Sequence, residues 1–288
     1  MKTLLKIAGG LVVLLLLVVG SIQFTFSRNL NKTYEAPQFQ IAELVKQADL
    51  ELGKRIYHVR AGCVDCHGEN LAGKIVMDNP AMGKISGANL TPSNLKNWTD
   101  EEIAVAIRYG IHKEKRSLRF MPSFDFEGLS IEDTAALIAY IRSVPEVAQP
   151  SAENAFGPVA KVLSTLGKMP VMFPAAIIDT KKGFGKKPAE EPTLEFGRYL
   201  AHSCVGCHRA DYTGGKIPGG DPSWPEASNI RLGKDQKTWT EENFKNMILT
   251  GKSPITGQEL RMPMPIALLK QLNETEIKAL WLYLTSLN

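Results

Sequence analysis

Four cysteines occur in the 288 residues, and all four fall in two short runs, Cys63-Val64-Asp65-Cys66-His67 and Cys204-Val205-Gly206-Cys207-His208. A C-x-x-C-H run is the attachment pattern for c-type haem. Chemistry sets the spacing: two thiols three apart on a helical turn can each form a thioether with a haem vinyl group, and the imidazole that follows reaches the iron from the same side. Other uses of a C-x-x-C pair are half a zinc site or a thiol redox couple, and the two pairs could in principle make one four-cysteine centre. Zinc does not need a histidine directly after the second cysteine, yet here it stands in both runs. The runs therefore predict two covalently bound haems c, attached through Cys63, Cys66, Cys204 and Cys207, with His67 and His208 as axial ligands. In cytochromes c the second axial ligand is commonly a methionine thioether from far along the chain, which raises the reduction potential.

The elements that must position these groups come twice. Cys63 and Cys204 are 141 residues apart, as are Trp98-Thr99 and Trp239-Thr240, and Gly110 and Gly251. Nearer the end, Ala136-Leu137-Ile138-Ala139-Tyr140 matches Ala279-Leu280-Trp281-Leu282-Tyr283 at an offset of 143. Two copies of one domain are the simplest account of such self-similarity. Each copy reads as helices joined by long loops. Asp49 and Thr193 can cap a helix ahead of each C-x-x-C-H run. Thr99 with Glu102, Ser130 with Asp133, and Asn273 with Glu276 have the spacing of capping boxes. Gly- and Pro-rich loops such as Ala81 to Pro92 and Ile217 to Pro225 have too few apolar residues to pack alone, and a haem would supply apolar surface that a domain of roughly 100 residues lacks.

The fold expected is all-α: a membrane anchor over residues 1–35, a first domain over 36–147, a connector over 148–192 and a second domain over 193–288. After Lys2 and Lys6, the run Ile7 to Phe26 is almost wholly apolar and long enough to span a bilayer as a helix. It has no convincing small-x-small cleavage site and is longer than a secretory signal core, so a retained anchor is expected. The two lysines would hold the short N-terminus in the cytoplasm, with the rest outside it. In the connector, Phe156 to Ile178 is too apolar for a free linker and is expected to pack across the domain interface. The basic pairs Lys181-Lys182 and Lys186-Lys187 read as a solvated turn. A net charge of only +4 makes no case for nucleic acid.

Each half resembles a class I cytochrome c domain: a helix, C-x-x-C-H, a long loop, a helix opened by W-T-x-E, a Met-Pro loop and a terminal helix with A-L-x-x-Y. The pattern covers about residues 49 to 145 and 193 to 288. It is similar to the haem domains in cytochrome subunits of membrane-bound alcohol and gluconate dehydrogenases, which carry three such domains where this chain has two. The resemblance places the sixth ligand in the Met-Pro loop. Met121, 58 residues after Cys63, is the expected ligand in the first domain, with Met77 and Met82 as loop residues. In the second, Met262 is also 58 residues after Cys204, but Met264 is eight before Leu272, as Met121 is eight before Leu129. A two-residue insertion is more tolerable in the loop after Gly251 than in the lead-in to a packed helix, which favours Met264 over Met262. His58, His112 and His202 read as ordinary surface or loop residues. Lys113, Lys115, Arg116 and Arg119 could ring a haem edge and steer an acidic partner, or simply be solvated.

The function expected is one-electron transfer between redox protein partners, alone or as the haem subunit of a larger complex. The chain would be a single-pass protein of the bacterial inner membrane with its haem domains in the periplasm. The alternative is a dihaem enzyme of the peroxidase or thiosulfate-oxidising type. That would need an exchangeable iron or an unusual ligand such as cysteine, whereas all four cysteines are consumed and both halves offer a methionine.

Overall fold

The computed structural model of the chain describes residues 1–218, 220–221, 223–233 and 238–287. Gly219 and Pro222, within the expected loop Ile217 to Pro225, lie outside the described residues. A long apolar helix, α1 (Lys2–Asn31), leads into a mostly helical body. It is long and apolar enough to cross a membrane. Its side chains from Met1 to Gly20 are exposed, with none of the other described residues covering them.

The first repeat contains α2 (Ala42–Gln47), α3 (Leu50–Arg55), α4 (Val64–His67), strands β1 (Ile75–Asn79) and β2 (Gly83–Ser86), α5 (Pro92–Leu95), α6 (Asp100–Tyr109) and α7 (Ile131–Ser143). The connector adds β3 (Ala155–Phe156) and α8 (Pro158–Thr165). The second repeat has α9 (Leu194–Ala201), α10 (Val205–His208), α11 (Glu241–Thr250), α12 (Ile266–Leu269) and α13 (Glu274–Ser286).

The caps fall where the side-chain chemistry puts them. Asp49, Thr99, Ser130, Thr193, Thr240 and Asn273 each accept a backbone N–H of the helix they open. The reciprocal capping box closes at Thr99–Glu102 and Asn273–Glu276. Within each repeat the helix before the haem motif crosses the terminal helix at a glycine. A Cβ on Gly53 would overlap the Ala136 carbonyl oxygen, and one on Gly197 would overlap that of Ala279. Only a residue without a side chain permits this approach. The first core gathers Ile56, Tyr57, Ile103, Leu137, Ile138 and Ile141, and the second Phe196, Leu200, Phe244, Ile277, Leu280 and Leu284.

The fold is mostly helical as expected, and it carries one small addition: β1, β2 and β3 form an antiparallel sheet in that order. Asn79 makes the hairpin turn, its Oδ1 accepting the Ala81 and Met82 N–H groups at 2.8 and 3.2 Å. Met77 therefore lies on a strand and Met82 at the end of the turn. Contrary to expectation, the segment Phe156 to Ile178 does not span the domain interface. Ala160, Met169, Met172 and Phe173 pack on Phe26 at the foot of α1, while Ala175 and Ile178 pack on Val105, Tyr109 and Ile111 of the first repeat. Their apolar side chains dock the anchor to the first domain. The basic turn is not wholly solvated either, because Lys187 Nζ lies 2.8 Å from Oδ1 of buried Asp133.

The domains meet through direct contacts instead, and these are reciprocal. Glu276, the third residue of α13, is buried and bonds Arg55 and Arg60 of the first domain. Asp133, the third residue of α7, accepts the Tyr199 hydroxyl of the second at 2.7 Å. Arg55 and Tyr199 each stand two residues after the crossing glycine, Gly53 or Gly197.

Candidate functional site

In the first repeat α3 runs into one π-helical turn, Ile56–Arg60, which delivers the chain to Cys63. The short helix α4 then carries Cys66 and His67, with the His67 N–H donating to the Cys63 carbonyl at 2.9 Å. Residues i, i+3 and i+4 of one turn share a face, so both sulfurs and the imidazole present themselves together. His67 is buried, and its Nδ1–H donates to the Ala88 carbonyl at 2.8 Å. That bond fixes the ring and leaves Nε2 as the free ligand nitrogen, the arrangement that metal-bound histidines favour. Burial lowers the His67 pKa, favouring the neutral imidazole a metal needs.

Cys63, Cys66, His67 and Met121 line one cavity of about 530 Å³, walled by apolar side chains that include Ile103, Ile107, Leu137 and Ile141. Met121 reaches it from the loop after α6, just beyond Phe120, whose backbone is left-handed at φ 57°. The size is that of a small-molecule or cofactor site. Two features test a haem there. The walls are apolar where a porphyrin needs them, and Arg119, also in the lining, has a buried Nε with no partner. A haem carboxylate would satisfy that nitrogen, so the residues fit the group.

The second repeat builds the same turn. A 3-10 turn, His202–Cys204, leads into α10 with Cys207 and His208. His208 is buried and its Nδ1–H donates to the Ser228 carbonyl at 2.8 Å, the counterpart of His67 and Ala88. Burial lowers its pKa as well.

The two methionines of the second loop differ. Met262 is 72% exposed, while Met264 is half-buried. Backbone bonds place the register: the Ser123 N–H donates to the Met121 carbonyl at 2.8 Å, and the Ile266 N–H to the Met264 carbonyl at 2.9 Å. Asp125 N–H to Pro122 and Leu268 N–H to Pro265 repeat the next bond of the turn. Earlier, Leu118 and Leu260 donate to Gly110 and Gly251 respectively, eight and nine residues back. One extra residue thus sits before Leu260 and the other between Leu260 and Met264, so the turn after Met121 recurs after Met264.

The thiols are not poised for redox exchange. Burial pushes Cys63 up to about 12 and Cys204 up to about 11, the opposite of a reactive thiolate. Among the described residues no three His, Cys, Asp or Glu side chains gather as a metal site, so the two C-x-x-C pairs do not merge into one zinc centre.

Of the other histidines, His58 and His112 have partners of their own, whereas the buried Nε2 of His202 has no hydrogen-bond partner among the described residues. His58 Nε2 lies 3.0 Å from the Tyr140 hydroxyl and Nδ1 3.3 Å from Glu69. His112 meets Trp98 edge-on, with ring centroids 4.7 Å apart, at the cavity rim. His202 is not a surface residue: its ring packs on Gly128 in the seam between the domains. Of the basic loop, Arg116 and Arg119 line the cavity, whereas Lys115 pairs with Glu35 at 3.5 Å and Lys113 lies 5.5 Å from the Trp98 ring centroid.

The seam brings the two sites together, which reading the sequence missed. Asp125, four residues after Met121, presses on Gly206 inside the second motif. Leu268, four residues after Met264, presses on Gly62 just before the first motif and joins the first core with Val64. Each methionine loop thus packs on the attachment turn of the other domain.

The family model described as Cytochrome c matches residues 50–145 and 197–288, the stretches that carry the two sites. Among curated proteins none matches the chain.

Proposed function

We propose that this chain, which belongs to the cytochrome c family, passes single electrons between redox proteins at the periplasmic face of a bacterial inner membrane, through two covalently bound haems c. In this reading His67 and Met121 ligate one iron, His208 and Met264 the other, and the sulfurs of Cys63, Cys66, Cys204 and Cys207 hold the two porphyrins. The observation that carries it is the first cavity, where both cysteines, the histidine and a methionine from a distant loop meet inside apolar walls. Two domains of this family give the chain capacity for two haems and an electron-carrying role, and α1 gives it a single-pass anchor.

The chain's own residues act by holding and screening. Ala88 and Ser228 orient the imidazoles. Met121 and Met264 would supply the sixth ligands of the two irons, and irons so ligated would disfavour binding of substrate or oxygen. A haem supplies a one-electron couple when bound, and the protein supplies binding, orientation and electrostatics. Thioether ligation biases that couple to high potential. Beside the first cavity Arg116 is paired with Glu114, which also lines it, and Arg119 is placed to meet a haem carboxylate, so the two act on the site itself. Kinship with the haem subunits of membrane dehydrogenases is a narrower form of the same proposal. A stoichiometric partner retained when the protein is purified from membranes supports it, and a free dihaem chain opposes it.

The test is the optical spectrum of the reduced, detergent-solubilised protein with and without carbon monoxide. Two low-spin haems that ignore the gas support the carrier. A haem that binds it readily has an open iron, which sinks the carrier reading and favours the dihaem enzyme.

A further inference from the structure

Asp125 occupies an unusual place for a carboxylate. It lies on a short 3-10 turn, Ser123–Phe126, and its side chain is pressed against Gly206, between Cys204 and His208 of the other domain. A methyl group on Gly206 would come within 2.6 Å of both carboxylate oxygens. Oδ1 is buried with no hydrogen-bond partner. The corresponding position in the other direction, against Gly62, is the apolar Leu268. The reciprocal seam thus sets a hydrocarbon against one haem-attachment turn and an ionisable acid against the other.

A buried acid with no cationic partner resists ionisation, and burial alone pushes Asp125 up to about 7. The nearby titratable groups do not hold it charged. Cys204 and Cys207 on the facing turn would be uncharged once in thioether linkage, and Arg108 of α6, Glu127 of its own loop and His202 of the facing domain do not enter among the causes of the Asp125 shift, which is burial alone. Charge on Asp125 opposes adding an electron to the adjacent haem, and that reduction in turn favours a proton on Asp125.

We propose that Asp125 is a redox-linked proton acceptor for the second haem alone. One electron from the donor protein reduces the ferric iron held by His208, one proton from water passes to the Asp125 carboxylate, and both leave on reoxidation. The proposal rests on the carrier reading given above.

Spectroelectrochemical titration of both haems in the full, detergent-solubilised protein between pH 5.5 and 9 tests it. One reduction potential falls as pH rises through about 7, and the other stays flat. The expected size is on the order of tenfold in the reduction equilibrium constant, the effect of a unit charge at roughly 10 Å and an effective dielectric of about 20. Asp125→Asn and Asp125→Leu, the latter copying Leu268, each flatten the dependence near the low-pH value. In the unsubstituted protein, the reduced-minus-oxidised infrared spectrum gains a protonated aspartic-acid band near neutral pH, which tests the idea even where a variant fails to fold. Potentials that do not move with pH, a pH dependence that survives both substitutions, or the absence of that band would overturn the proposal while leaving the carrier intact. Carbon monoxide binding to either haem would instead remove the carrier reading on which it rests.

Discussion

Replacing Glu276 by alanine should loosen the joint between the domains without touching the lining of the first cavity. The carboxylate is fully buried. Its Oε1 accepts from Arg55 Nε at 3.0 Å and Arg60 Nε at 2.8 Å, and its Oε2 accepts from Arg55 and from the Asn273 backbone N–H at 2.9 Å. Arg60 is the costly survivor, because its side chain is only 5% exposed. Removing one partner of a buried pair costs about 3–5 kcal/mol. Arg60 keeps Glu190, with Nη1 donating to Oε1 at 2.9 Å, so the lower end, about 3 kcal/mol, is expected. At roughly 2–4 °C per kcal/mol for a chain of this size class, the thermal midpoint falls by roughly 6–12 °C.

The assay is thermal unfolding of the detergent-solubilised holoprotein by near-ultraviolet circular dichroism, with Glu190→Ala alongside. Glu190 is 38% exposed, and its loss should cost under about 1 kcal/mol. The pH dependence follows from the sign of the shift. Burial pulls the Glu276 pKa up, but hydrogen bonds from Arg55, the Asn273 backbone and Arg60 together outweigh it and leave the value below 4.5. Its stabilisation is therefore complete above about 4.5 and lost as pH falls through the lower folded value, so the Glu276→Ala deficit shrinks in acid. A loss below about 1 kcal/mol at pH 7, or a deficit that grows in acid, would refute the assignment of this pair as the joint.

Other outcomes follow from the same geometry. Met264→Ala should open the second iron to carbon monoxide while Met262→Ala leaves it closed, read from the reduced spectrum; the reverse result would move the ligand two residues back. Gly197→Ala forces a methyl into the Ala279 carbonyl and should cost about 1–3 kcal/mol of thermal stability, whereas Gly183→Ala, with open space around it and no left-handed backbone, should not. Arg119→Gln removes the unpaired cation of the first cavity; a shift in the potential of one haem, with low-spin spectra unchanged, is expected, and two unmoved potentials would detach Arg119 from that haem.

Much of the site was legible because its chemistry is local. Three residues on one turn bring two sulfurs and an imidazole to one face, and a Thr or Asn three residues before a glutamate defines a helix start; the structure forms that turn and those caps. The sheet was hidden for the opposite reason. Gly83–Ser86 looks like loop sequence, and its second partner, Ala155–Phe156, comes from beyond the whole first helical unit. The repeat changes offset ahead of the motifs, where Asp49 and Thr193, like Gly53 and Gly197, stand 144 apart against 141 for the cysteines. Gly53 lies ten residues before Cys63 and Gly197 seven before Cys204, the difference being accommodated around a π-helical turn that no hydrophobic period announces. Aligning Leu50-Glu51-Leu52-Gly53-Lys54 with Leu194-Glu195-Phe196-Gly197-Arg198 would have exposed it.

That shift explains how one position serves two purposes. Glu276 is long enough to close the capping box on Asn273 with one oxygen and still hold Arg55 and Arg60 with the carboxylate. Asp133, one methylene shorter, donates its backbone N–H to the capping Ser130 Oγ at 3.1 Å but does not close the box. Its carboxylate is left to Tyr199 and Lys187. The capping spacing read in the sequence thus names the two acids, and the partner each acquires depends on what the offset places opposite: an arginine in one direction and a tyrosine in the other. The same reciprocal seam sets Asp125 against Gly206 and Leu268 against Gly62. Two domains built to one pattern consequently set an ionisable acid against one C-x-x-C-H turn and a hydrocarbon against the other.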